Sequence, residues 1–197
     1  MILKKYGIFG GTFNPPHIAH SILAENIREQ LELDKIIFIP SGNPPLKNSI
    51  PAQQRLEMAQ LAFSDNPHFE VSDIETKDTV VKSFTVNTLM RLSEKYRNDN
   101  VKLFLLIGAD NFIILNKWKE PEKLFDYSEV VVLKRPDFNI EDHNSGFRHK
   151  VKFIDTPLLE ISSSMIREKV LKGLSVKYLL DEKVEEYILK NDLYKNP

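Results

Sequence analysis

Tyr6-Gly7-Ile8-Phe9-Gly10-Gly11-Thr12-Phe13-Asn14-Pro15-Pro16-His17-Ile18-Ala19-His20 decides how the chain is read. The first four residues form a short apolar, β-rich run. Two glycines end it, a turn with two prolines follows, and apolar residues at Ile18, Ile22, Leu23, Ile27 and Leu31 then predict a helix over 17–32. Strand, tight turn and helix make the opening of a βα unit. Gly10 and Gly11 let backbone approach a ligand closely and tolerate positive φ, although a Gly-Gly pair also suits a plain turn. His17 starts the helix, where free N–H groups favour an anion, and His20 lies on the same helical face. The pair can also be read as helix surface or half a metal site. No H-E-x-x-H and no cysteine supports zinc, so no metal ligands are assigned.

Outward from this segment the same alternation repeats. Apolar runs occur at 36–39, 69–71, 103–107, 130–133 and 151–154. Three of them (36–39, 103–107, 130–133) lack polar alternation, as strands buried on both faces do. Helical periodicity fills 52–63 and 84–97, and two further helices are expected at 163–172 and about 181–191, around Gly173. The fold class is therefore α/β: a doubly wound parallel sheet covered on both sides. One domain spans 1–197, with the helices from about 163 to 197 as a small subdomain. The polar segment 137–150 is expected to be a mobile loop.

Composition narrows the function. The 197 residues are 42% hydrophobic and 28% charged, an ordinary globular balance. A net charge of -1 offers no broad positive field for a nucleic-acid backbone, which favours a small-molecule partner. The absence of cysteine excludes disulfides and a thiol nucleophile and suits a cytoplasmic protein. No apolar run reaches the roughly 20 residues of a membrane span.

The unusual segments all follow strands. After 36–39 comes Pro40-Ser41-Gly42-Asn43-Pro44-Pro45-Leu46-Lys47. After 103–107 comes Gly108-Ala109-Asp110. After 130–133 comes Lys134-Arg135-Pro136. After 151–154 comes Leu158-Leu159-Glu160-Ile161-Ser162-Ser163-Ser164-Met165-Ile166-Arg167. In an open parallel sheet the carboxyl ends of the strands share one edge, and ligands bind there. The crevice looks built for phosphate. The serine triplet opens a helix and can cap it or receive phosphate oxygens, Arg167 can donate two parallel bonds, and Lys47 adds a point charge. Trp118 stands among polar neighbours as a candidate stacking surface. There is no G-x-x-x-x-G-K-[ST], no G-x-G-x-x-G and no G-x-S-x-G, which disfavours P-loop kinases, ordinary dehydrogenases and α/β-hydrolases.

Residues 10–20 resemble the G-G-[ST]-F-[DN]-P-x-H-x-[GA]-H signature of the nucleotidylyltransferase superfamily, and 161–167 resemble its I-S-S-[TS]-x-I-R signature. The segment 40–47, Arg55 with Met58, the stretch 83–89, Gly108 to Asp110, Trp118 and the tail from Tyr178 to Tyr194 are similar to bacterial nicotinate mononucleotide adenylyltransferases. That resemblance implies a Rossmann-like fold and transfer of AMP from ATP to nicotinate mononucleotide, with Mg²⁺ carried on the ATP phosphates. It implies His17, His20, Lys47 and Arg167 as the catalytic set at the phosphates. Gly10, Gly11, Thr12, Phe13, Ser162, Ser163 and Ser164 would complete the ATP site, with Gly108 and Asp110 at the ribose and Arg135 and Ile161 near adenine. Thr85, Trp118 and Lys119, with Lys47, would take the nicotinate nucleotide. The chain departs from the pattern at Ala19, Leu46, Phe84, Asn87 and Asp181; Asp181 is a plausible cap for the last helix. The alternatives are a related transferase with another phosphate acceptor, or a nucleotide sensor without catalysis. A monomer and a homo-oligomer both fit.

Overall fold

In the computed structural model, which describes residues 2–45, 49–77, 79–134 and 146–195, strand and helix alternate along the chain. The strands are β1 (Lys4–Gly11), β2 (Lys35–Pro40), β3 (Phe69–Val71), β4 (Val101–Gly108), β5 (Glu129–Lys134) and β6 (Val151–Asp155). The helices are α1 (Ile18–Leu31), α2 (Ala52–Phe63), α3 (Thr85–Lys95), α4 (Ala109–Ile113), α5 (Leu124–Tyr127), α6 (Ser163–Leu171) and α7 (Glu182–Lys190).

The strands form one sheet in the order β3-β2-β1-β4-β5-β6, with every neighbouring pair parallel. β1 is central: Ile8 lies opposite Ile37 on one side and Leu105 on the other. Strand order reverses between β1 and β4, and that reversal opens a crevice at their carboxyl ends.

The unbroken apolar runs are explained by two covered faces. Ile37, Ile39, Leu103, Leu105, Ile107, Val130 and Val132 pack on one face with Val86, Leu89 and Leu92 of α3. Their neighbours in sequence, Ile36, Phe38, Phe104, Leu106, Val131 and Leu133, pack on the other with Ala24 and Ile27 of α1 and Phe63 of α2. A strand turns successive side chains to opposite faces, so a strand buried on both sides needs apolar residues throughout. Phe38 and Phe63 stack with ring centroids 3.7 Å apart. Truncating either ring would cost about 3–5 kcal/mol.

A third cluster joins the chain's end to its middle. Ile166, Val176, Leu180, Val184, Ile188 and Leu193 close around Met58 of α2. Asp181 caps α7 as its sequence suggests, its carboxylate accepting the Lys183 N–H at 2.9 Å. Two elements went unforeseen. α4 and α5 have five and four residues, too few to show a helical period. Of the segment expected to be a mobile loop, residues up to 145 lie outside the described ones. Arg148–Lys150 forms a single 3₁₀ turn beside the buried Phe147. Among the described residues no helix is long and apolar enough to cross a membrane.

Candidate active site

The crevice floor is glycine. A Cβ at Gly10 or Gly108 would meet nothing within 4 Å, so the backbone faces open space at both strand ends. Neither Gly10 nor Gly11 has positive φ, so the conformational freedom anticipated there is unused. Gly11 makes room instead: a Cβ would stand 2.9 Å from the Phe13 ring. Phe13 has φ 48° and is only 2% exposed, packed edge-on against Phe38, Phe63 and His20. Its side chain belongs to the core, and only its backbone can meet a nucleotide.

The two histidines form one unit. The His17 N–H donates to His20 Nδ1 at 3.1 Å, and the His20 N–H donates to the His17 carbonyl at 2.9 Å. Their rings lie 3.7 Å apart, centroid to centroid. With Nδ1 accepting, neutral His20 carries its proton on Nε2. His17 is buried, its Nδ1 has no protein partner, and burial lowers its pKa to about 4. At neutral pH it is uncharged.

The serine motif docks directly onto this turn. Ser162 caps α6, its Oγ accepting the Met165 N–H at 3.2 Å, and its hydroxyl lies 3.1 Å from that of Ser164. The Ser163 hydroxyl donates to the Pro15 carbonyl at 2.8 Å, and the Arg167 guanidinium donates to the Asn14 carbonyl at 2.8 Å. The Tyr194 hydroxyl donates to Asn14 Oδ1 at 2.7 Å, and the Ile18 N–H donates to the Leu179 carbonyl at 3.0 Å. Residues 14–18 are thus gripped from α6 and the tail. Ile161 packs against the third cluster.

The segments that the resemblance assigns to the pyridine ring come together. Thr85 opens α3, and Phe84 and Trp118 both pack against the first core cluster. Lys119 Nζ lies 5.0 Å over the Phe84 ring, so segments 84–85 and 118–119 meet. Asp110 is exposed in the first turn of α4. Lys47 and Arg135 lie outside the described residues. Among the described residues no three His, Asp or Glu side chains gather as a metal cluster.

Arg55 and Asn14 also build the site, and sequence reasoning gave neither a role there. Arg55 is 1% exposed and donates to the carbonyls of Ile50, Thr12 and Gly42 at 3.1, 2.8 and 3.2 Å. Burial lowers its pKa, yet a guanidinium remains charged at neutral pH. It ties α2 to the turns after β1 and β2. The one available signal was an arginine on the apolar side of α2, beside Leu56 and Ala59.

Comparison with known proteins agrees with this geometry. Residues 8–169 match the cytidylyltransferase-like family. A Lachnoclostridium phytofermentans protein is 38% identical over 98% of this chain and 100% of its own length. A Dictyoglomus thermophilum protein is 42% identical over 96% and 99%. Both bear the name "Probable nicotinate-nucleotide adenylyltransferase". The fold superposes on Plasmodium falciparum nicotinic acid mononucleotide adenylyltransferase complexed with NaAD, with a TM-score of 0.81 and 22% identity over 98% of each chain. Two signature turns joined by hydrogen bonds at a doubly wound sheet edge, and likeness along almost the whole chain, place it in the nicotinate-nucleotide adenylyltransferase family of cytidylyltransferase-like proteins.

Proposed function

We propose that this protein transfers AMP from ATP to nicotinate mononucleotide. A 5′-phosphate oxygen of the mononucleotide attacks the α-phosphorus of ATP. A new P–O–P bond forms, the bond to the β-phosphate breaks, and pyrophosphate leaves with the electron pair. The attacking group is already an anion, so no base and no covalent intermediate are needed. Rate must come from holding two repelling anions in line and stabilising the departing charge. The observation that carries this reading is the pair of bonds from Ser163 and Arg167 to Pro15 and Asn14, which set the second motif against the histidine turn.

In this scheme neutral His17 and the Nε2–H of His20 donate to phosphate oxygens. Arg167 uses one donor on Asn14 and turns others to the pyrophosphate, and Lys47 adds a point charge. Thr85, Trp118 and Lys119 receive the pyridine ring and its carboxylate. When bound with ATP, Mg²⁺ would supply charge neutralisation at the phosphates. The residues grouped at the turn are proton donors, which suits phosphate rather than a bare cation. The substrates are small nucleotides, and the working compartment is the cytoplasm.

The test is pyrophosphate release with ATP and either nicotinate or nicotinamide mononucleotide. Release with the nicotinate form is expected, falling about a hundredfold in His20→Ala, the scale of a lost transition-state donor. ATP binding without pyrophosphate release with either acceptor would make the chain a nucleotide sensor. Near-normal turnover of His20→Ala would remove that residue from the chemistry.

A further inference from the structure

Glu75 follows β3 and stands between two elements of the acceptor side. The Thr88 hydroxyl, one turn into α3, donates to Glu75 Oε1 at 2.5 Å. The Ser83 hydroxyl and the Gly42 N–H lie close enough to the carboxylate to favour its charged form. Ser83 Oγ accepts the N–H groups of Gly42 and Asn43, at 3.0 and 3.1 Å, from the turn after β2. The Ser83 N–H donates to the Asn43 carbonyl at 2.9 Å. The carboxylate and the Ser83 hydroxyl beside it therefore gather the β2 turn, the approach to α3 and α3 itself.

An ionised carboxylate is costly here, because burial pushes the Glu75 carboxyl above its ordinary range while Thr88, Ser83, Gly42 and the nearby charge of Arg91 pull it back. A tie needed only for folding would be served as well, or better, by apolar side chains. What the network holds is the entrance to α3. Ser83 leads directly into Phe84, which lies beneath Lys119, and into Thr85, assigned above to the pyridine ring.

We infer that Glu75 is a positioning residue of the acceptor subsite: by holding Thr88 and Ser83 it fixes the first turn of α3, and with it the seat of the mononucleotide's pyridine ring. The inference rests on the proposed function. A hydroxyl donating to the carboxylate, with Ser83 and the Gly42 N–H close by, suits the ionised form, which only accepts. A glutamine removes the charge but turns an NH₂ toward one of these groups, so fold and function separate in Glu75→Gln.

The experiment is steady-state kinetics on the full chain, with ATP and nicotinate mononucleotide varied in turn, beside thermal melting. Glu75→Gln is expected to melt no lower than the parent. Its KM for the mononucleotide should rise about tenfold, in keeping with the sensitivity of bound geometry to small displacements, with KM for ATP within about twofold. Thr88→Val should reproduce part of that rise and Thr88→Ser should not. An unchanged KM for the mononucleotide overturns the inference. So does a parallel loss in both KM values, kcat and melting temperature, which marks a merely structural tie. A parent chain that releases no pyrophosphate with either mononucleotide overturns the proposed function and this inference with it, whereas an active parent with an unmoved variant overturns this inference alone.

Discussion

Burial leaves His17 neutral before any substrate arrives. Its pKa falls from 6.5 to about 4, with desolvation as the cause. Between those values the unfolded chain binds a proton that the folded chain does not, so stability falls as pH drops through that window and is fully retained above it. The full shift corresponds to about 3 kcal/mol at most. Urea unfolding of the parent should therefore weaken from pH 7 to pH 5 more steeply than that of His17→Gln, and identical slopes would contradict it. The spacing of the two histidines was legible from sequence, but the neutral state of His17 was not, because it depends on burial in the folded chain. Arg55 and Glu75 were silent for a related reason. Several of their partners are backbone groups of distant turns, which have no residue-type signature. That the Phe13 side chain is buried was not legible either, because a motif position shows that a residue matters, not whether its side chain faces ligand or core.

Among the elements, α6 carries the heaviest duty. Ser162 caps it, and Ser163 and Arg167 lie on the side that meets the Asn14-Pro15 turn. A guanidinium can hold Asn14 and still present donors to phosphate, while an ammonium is a single point charge. Arg167→Lys should lower kcat at least tenfold while its melting temperature stays close to the parent's. An equal fall in both would mean that Arg167 serves only to dock the helix. At this scale the sequence was most readable. Both-face burial makes β2, β4 and β5 continuous in apolar residues, and each of the six expected runs is a strand. α4 and α5 escaped notice because four or five residues cannot display a 3.6-residue period.

For the molecule as a whole, strand order makes the site. Reversal at β1 and β4 sets Gly10 and Gly108 at the carboxyl ends of adjacent strands, and α6, packed in the third apolar cluster, bonds to the turn after β1. The doubly wound parallel sheet followed from alternating strands and helices and the handedness of their crossovers, whereas the order of its strands was not read from sequence. The hydrogen bonds that lock residues near 14 to residues near 165 and 194 did not follow either, since nothing in either segment names its partner. The most direct test is a crystal structure of the chain with a non-hydrolysable ATP analogue. The triphosphate should lie between the His17-His20 pair and Arg167, with phosphate oxygens within hydrogen-bond distance of both sides. A triphosphate bound elsewhere, with that cleft holding only water, would contradict the shared phosphate rim on which the proposed chemistry depends.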